Sequence, residues 1–122
     1  YRTLVEHAEY VHRFPEVDDA GYNNNHASAG FAGLLFVSLT LPDHPRKSEW
    51  LEKSIQGLIT CCKYQTYRDG VNFEGSTSYH MLTLECFAYS LILCQQHAIR
   101  IGSHFVESVF KMFEYASRII DC

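Results

Sequence analysis

Apolar positions recur along this chain at the spacing of α-helices, and clusters of Gly, Pro, Asn and Asp separate the apolar runs. Residues three or four apart in sequence lie on one face of a helix, so this period predicts helices rather than strands. The predicted helices cover about residues 1–12, 26–41, 46–67, 76–97 and 103–120. No strand-rich segment is visible, although residues 71–73 could be extended. The pattern therefore predicts an all-α fold.

Two of the predicted helices, residues 26–41 and 76–97, are apolar around most of their circumference, which is typical of inner helices. The first of them, "HASAGFAGLLFVSLTL", has small residues that should let neighbouring helices approach closely. Residues 46–67 are the most amphipathic segment, with Trp50 on the apolar stripe, and Ser103 is expected to cap the last helix. Long helices joined by short polar connections predict antiparallel helical hairpins, as in a helical barrel or solenoid.

Composition and charge fit one globular unit. The 122 residues are 47% hydrophobic and 20% charged, with a formal net charge of −4 and no long block of like charges, so a nucleic-acid-binding surface is not expected. No apolar window approaches the roughly eighteen residues of a membrane span, and no signal-peptide pattern is visible at the start of the given sequence. The missing initiator methionine and the odd number of predicted helices suggest a piece of a larger protein.

The cysteines favour neither a disulfide framework nor a metal site. Their number is odd, they include no CxxC pair, and no histidines cluster at metal-ligand spacing. Most of them lie inside apolar helical segments, so we expect buried free thiols. The cysteines are Cys61, Cys62, Cys86, Cys94 and Cys122. We expect neither a metal nor another cofactor.

Two junctions between a loop and an apolar helix carry unusually many polar side chains. The first is "GYNNNH", residues 21–26, and the second is "DGVNFEGSTSYH", residues 69–80. The first backbone N–H groups of a helix have no partner within the helix, and they form the positive end of its dipole. Both junctions could therefore bind an anion such as a carboxylate.

These junctions and the residues between them resemble a known family. The stretch "NNNHASAGFAGLL", then Trp50-Leu51, Gln65, "DGVNFEGSTSYH" and Glu85 are similar to the helical domain of the heparinase II/III-like and oligoalginate lyase group of polysaccharide lyases. The resemblance implies that residues 1–122 form a single helical domain, a fragment of an (α/α) toroid. In this group a β-sandwich domain normally follows, and the sequence lacks it. The resemblance alone suggests a periplasmic or secreted protein.

The resemblance also implies a partner and a reaction. Lyases of this group break acidic polysaccharides or oligosaccharides by β-elimination, removing the proton next to a uronate carboxylate and expelling the glycosidic oxygen. By the family's pattern Tyr79 is the base, the acid or both, and Asn25, with His26 beside it, neutralises the carboxylate. Because a tyrosine ordinarily titrates at about pH 10, a base role requires nearby cations or donors, which His80 and the two helix starts could supply.

Each of these assignments has a structural alternative. Tyr79 could be an amphipathic tyrosine at the start of an inner helix, and Asn25 could be a loop or cap residue. A first-turn histidine more often satisfies a neighbouring hydrogen bond than performs catalysis, so His26 and His80 are second choices. The substrate-binding candidates are Asn24, Tyr22, Gln65 and Glu74.

Two other functions remain open. The chain could be a non-catalytic helical domain that binds carbohydrate or acts as a scaffold, or a glycoside hydrolase that uses Asp69 and Glu74 as paired carboxylates. Acids beside an Asp-Gly turn are usually turn-forming or capping residues, however. Glu74 is instead expected to hold the loop before Tyr79 in place, with Gln65 or Arg68. Because the lyases take a further histidine from outside this span, the chain alone is expected to hold part of a site.

Overall fold

The structure is a computed structural model, and it describes residues 1–17, 24–41 and 43–120. Within these ranges every regular element is an α-helix, and an isolated antiparallel bridge joins Thr66 to Asn72. The helices are α1 Arg2–Arg13, α2 Asn25–Thr40, α3 Lys47–Gln65, α4 Thr77–Gln96 and α5 Ser103–Ile120. The predicted all-α fold is confirmed, although Ser103 is the first residue of α5 rather than the cap before it. No helix of the described part is long and apolar enough to cross a membrane.

Helices α2 and α3, and helices α4 and α5, pair as antiparallel hairpins. Gln65, at the end of α3, donates a hydrogen bond of 2.7 Å to the backbone oxygen of Asn24, directly before α2. His80, in the first turn of α4, bonds the backbone oxygen of Met112, in the second half of α5, at 3.1 Å. Because Asn25 contacts Glu74, which lies just before α4, the starts of α2 and α4 lie side by side.

The inner helices are α2 and α4, as predicted. α2 packs against α1, α3 and α4, and α4 packs also against α5. The ring of Phe87 on α4 is fully buried and meets Phe105 of α5 edge-on, with ring centroids 5.4 Å apart. Trp50 of α3 is also fully buried and stacks on His44 at 4.3 Å, so the interpretation of Trp50 as a core residue is confirmed.

A glycine of α3 makes room for a large side chain of α2. A Cβ at Gly57 of α3 would lie 2.5 Å from the ring of Phe31 on α2. A Cβ at Gly30 of α2 would make an ordinary contact of 3.5 Å with Val11, and one at Gly33 would meet nothing within 4 Å. The glycines of α2 therefore do not provide this particular contact, because the empty position that admits the ring is on the partner helix.

Alanine substitutions at Gly57 and Gly33 should have opposite effects on stability. Gly57→Ala should lower the free energy of unfolding by about 1–3 kcal/mol, because the new methyl group overlaps the buried ring of Phe31. Gly33→Ala should raise it by up to about 1 kcal/mol, since alanine loses less backbone entropy in a helix and the space is open. Chemical denaturation of both variants measures the difference, and a stabilising Gly57→Ala would contradict the packing.

Charged side chains tie α1 to the start of α3. Arg46, directly before α3, donates to Glu9 of α1 and, at 2.7 Å, to Glu49 in the first turn of α3. The hydrogen bond from Arg46 lowers the pKa of the Glu49 carboxyl to about 2. Because Glu49 is exposed, we expect the pair to fix the orientation of the Arg46 side chain more than it stabilises the fold.

The described cysteines are free thiols within the helices, as predicted. Cys61, Cys62 and Cys94 are buried and Cys86 is half-buried, while Cys122 lies outside the described residues. Burial raises the pKa of the Cys61 thiol to about 12, and it raises the pKa values of the other three as well. Little of the reactive thiolate is therefore present at neutral pH.

We expect Ellman's reagent to modify Cys61 and Cys62 only when the protein unfolds. Both side chains are shielded from the reagent, and the raised pKa of each thiol leaves it largely protonated. Mass spectrometry of peptides from protein labelled with and without denaturant would measure this. Rapid modification of Cys61 in the folded protein would show that the α2–α3 interface opens readily.

Candidate functional site

The start of α2 gives two neighbouring asparagines different roles. Asn24 is the N-cap: its backbone is extended, and its Oδ1 accepts a hydrogen bond from the backbone N–H of Ala27 at 3.1 Å. Asn25 is the first helical residue, and it is 93% buried, with a relative exposure of 7%. Since Asn24 supplies the cap, the Asn25 amide is available to another partner.

Glu74 is the partner of Asn25. Its Oε1 accepts from the Asn25 backbone N–H at 3.2 Å, and its Oε2 accepts from Asn25 Nδ2 at 3.0 Å. The Glu74 backbone N–H donates in turn to Asn72 Oδ1 at 3.0 Å, which fixes the turn that carries the carboxylate. Glu74 therefore stabilises the loop before Tyr79 by bonding across to α2, and Asn25 takes the place that Gln65 or Arg68 was expected to fill.

Gln65 holds the first turn of α2 from inside the protein. Its side chain is fully buried, its Oε1 accepts from the Ser28 hydroxyl at 2.8 Å, and its Nε2 donates to the Asn24 carbonyl at 2.7 Å. The oxygen and the nitrogen of the side-chain amide are therefore both bonded to α2 or to the residue directly before it. In this arrangement Gln65 positions Asn24 and Asn25 and does not itself reach the surface.

At the start of α4, the side chains of Tyr79 and His80 point in different directions. Ser76 caps the helix by accepting from the Tyr79 backbone N–H at 3.4 Å, and the Tyr79 side chain is 48% exposed. His80 is 1% exposed and packs edge-on against Tyr115, with ring centroids 4.8 Å apart. Its Nδ1 accepts from the Asn72 backbone N–H at 3.3 Å, which assigns the proton to Nε2, bonded to the Met112 carbonyl at 3.1 Å.

An open pocket of about 360 Å³, here called the α2–α4 pocket, lies where the two helix starts meet. Three of the four predicted catalytic residues, Asn25, His26 and Tyr79, line it, whereas His80 is buried and does not. Tyr22, predicted to bind substrate, lies outside the described residues. The residues lining the pocket are Glu16, Asn25, His26, Ala29, Tyr79 and Leu82.

Glu16 is a pocket residue that sequence reasoning did not identify. Its Oε2 lies 2.9 Å from Nδ1 of His26, and both side chains are exposed. Glu16 sits in the connection after α1, nine residues before Asn25, and belongs to no motif, so no sequence signal could have placed it here. The pocket wall thus combines an acid, an imidazole, an amide and a phenol, and none of its described lining residues is Lys or Arg.

A larger groove beside the pocket is apolar and offers little chemistry. It has a volume of about 430 Å³, lies between α2 and α4, and shares Leu82 with the α2–α4 pocket. Its wall includes the exposed side chains of Phe36, Tyr89 and Ile92. The polar pocket, with its titratable groups, is the better candidate for a site of chemistry.

The fold and the pocket define an all-α domain in which two inner helices begin at one shared polar site. The family model described as "Heparinase II/III N-terminus" matches residues 2–120. The chain therefore belongs to the heparinase II/III N-terminal family, as the resemblance indicated. A search of curated proteins and a search of solved structures each found no significant match.

Proposed function

We propose that this chain supplies the helical part of the active site of a polysaccharide lyase that cleaves uronic-acid-containing polymers by β-elimination. The observation that carries the proposal is the α2–α4 pocket, since Asn25, His26 and Tyr79 line it together. These residues come from helix starts that are more than fifty positions apart in sequence. Membership in the heparinase II/III N-terminal family supports the same class of enzyme.

In the proposed reaction a base removes the proton on C5 of the uronate, next to the carboxylate. The electron pair of that C–H bond forms a double bond between C4 and C5, while the C4–O4 bond breaks and O4 takes a proton. A phenol can do both steps in turn, because a phenolate that accepts the C5 proton can then give it to O4. Tyr79 is half-exposed at the pocket, which suits this role.

The intermediate places negative charge on the uronate carboxylate, so the site must supply donors there. In the proposal Asn25 donates through its amide without adding a titrating proton, and His26 assists beside it. Glu16 and Glu74 are acids close to these donors, and each already has a partner, His26 and Asn25 respectively. A protonated His26 would offset the charge of Glu16, whereas the neutral Asn25 amide leaves the charge of Glu74 in place.

We further propose that the five helices form part of an (α/α) toroid and that a β-sandwich domain of the same protein completes the site. Residues 1–122 would then form a single helical domain whose apolar groove is covered by other parts of the protein. This arrangement would supply the further histidine and the cationic groups that the described part of the pocket lacks. Acidic polysaccharides or oligosaccharides are the proposed substrates.

A glycoside hydrolase that uses Asp69 and Glu74 is not supported by the contacts of these acids. Asp69 Oδ1 accepts from the backbone N–H of Val71 at 3.2 Å, which is a turn-stabilising contact. Both carboxylate oxygens of Glu74 accept hydrogen bonds from Asn25, and neither acid lines the α2–α4 pocket. Paired carboxylates on either side of a sugar bond would need to face a shared cavity.

The complete protein, incubated with alginate and with heparan sulfate, should test the proposal. We expect ultraviolet absorbance from a 4,5-unsaturated uronate to rise with at least one of these polymers, and no rise with the carboxyl-reduced form of the same polymer. New reducing ends without that absorbance would indicate a hydrolase. Binding without either product would indicate a non-catalytic carbohydrate-binding domain.

A further inference from the structure

A continuous series of hydrogen bonds connects α5 to the Asn25 amide. Starting from the Met112 carbonyl, it passes through the His80 ring to the Asn72 backbone N–H. Asn72 Oδ1 then accepts from the Glu74 backbone N–H, and the Glu74 carboxylate accepts from the backbone and side chain of Asn25. The same series fixes both helix starts at the α2–α4 pocket.

The last link of this series determines the orientation of the Asn25 amide. An ionised carboxylate can accept hydrogen bonds but cannot donate them. Glu74 therefore requires that Nδ2 of Asn25 faces it, because a flipped amide would place its oxygen against the carboxylate oxygens. One N–H of Nδ2 then donates to Glu74 at 3.0 Å. The second N–H of the same amide nitrogen can donate to another acceptor.

We infer that Glu74 is a positioning residue that makes Asn25 a fixed donor for the carboxylate of an acidic sugar. This inference rests on the proposed function, and it replaces direct substrate binding by Glu74 with an action through Asn25. A Glu74→Gln variant keeps the size of the side chain but presents an amide, which can meet Asn25 with either oxygen or nitrogen. Because the Asn25 backbone N–H still needs the oxygen of the new amide, its nitrogen faces the Asn25 side chain, and the Asn25 amide is in the donating orientation for only a small part of the time.

The sign of the effect separates this role from a simple charge effect. Removing a negative charge close to an anionic ligand should by itself strengthen binding. Losing the fixed orientation of Asn25 should instead weaken binding of the acid, by about tenfold if one hydrogen bond to a charged group is impaired. A ligand without the carboxylate should be affected by neither change.

The experiment uses the complete protein in a Tyr79→Phe background, which is intended to slow turnover. Calorimetry would measure the affinity for alginate and heparan sulfate oligosaccharides, each beside its carboxyl-reduced counterpart. We expect Glu74→Gln to weaken binding of the acidic form about tenfold and to leave the reduced form unchanged. Glu85→Gln is the matched control, because Glu85 is exposed and lines the apolar groove instead of the pocket.

Four results would overturn the inference. Tighter or unchanged binding of the acid by Glu74→Gln would mean that the charge of Glu74 matters more than its contact with Asn25. Equal weakening of both ligands would mean a general structural role. Weakening that persists in an Asn25→Ala background would mean that Glu74 contacts the ligand itself. If the parent protein binds the acidic and reduced forms equally, the proposed uronate site fails, and this inference fails with it.

Discussion

Replacing Tyr79 with phenylalanine in the complete protein is expected to lower kcat for cleavage of a uronate polymer about 10²- to 10⁴-fold. The change removes one hydroxyl group, and with it the proposed proton acceptor and donor. The ring remains, so contacts of the half-exposed side chain with the pocket wall should persist. Initial rates from the absorbance of the unsaturated product, measured over a range of substrate concentrations, would separate kcat from KM.

Tyr67→Phe is the matched control for this prediction. Tyr67 is 58% exposed, comparable to Tyr79 at 48%, and it is absent from the described lining of the α2–α4 pocket. Removal of the Tyr67 hydroxyl should leave kcat within about twofold of the parent value, since substitutions at exposed positions away from a site change little. Both variants should unfold at nearly the same temperature as the parent protein. If Tyr79→Phe retained full kcat, the proton-transfer role of Tyr79 would have to be abandoned.

The helices could be predicted because their positions follow from local patterns. Turn-forming residues interrupt an apolar period at each connection, and the cap residues Asn24 and Ser76 stand directly before the inner helices. The pattern does not specify which helix provides the space at a contact. Gly57 of α3 belongs to no cluster of small residues in the sequence, yet it makes room for the ring of Phe31. The small residues of α2 form a visible cluster, but a Cβ at Gly33 within it would meet nothing within 4 Å.

The candidate site could be predicted in part. The two polar helix starts are visible in the sequence, but their contact depends on α2 and α4 beginning at the same end, which follows from tertiary packing. Asn25 and Glu74 are forty-nine residues apart, and no local rule joins them. Adjacency in sequence was also misleading for Tyr79 and His80, because consecutive helical residues point about 100° apart. One side chain therefore faces the pocket while the other enters the core.

The interior position of His80 leads to a second large expected effect, this time on stability. His80→Ala should lower the free energy of unfolding by about 2–4 kcal/mol, because it leaves a cavity and removes the partner of the Asn72 backbone N–H. Asn72 is itself 1% exposed, so water cannot readily replace the lost acceptor. Urea denaturation monitored by circular dichroism would measure this loss. His104→Ala, at an exposed position in the first turn of α5, should change stability by less than about 0.5 kcal/mol.

A second variant distinguishes a positioning role of His80 from a catalytic one. His80→Asn keeps an oxygen acceptor near the position of Nδ1, so it should preserve part of the bond to Asn72 and lose less stability than His80→Ala. If His80 acts only by holding the Asn72–Glu74 turn, the activity of the folded His80→Asn protein should exceed that of Tyr79→Phe. Equal losses of kcat in two fully folded variants would instead require His80 to take part in proton transfer. That result would conflict with the burial of His80 and with the use of both its ring nitrogens by Asn72 and Met112, because a proton carrier must reach the sugar.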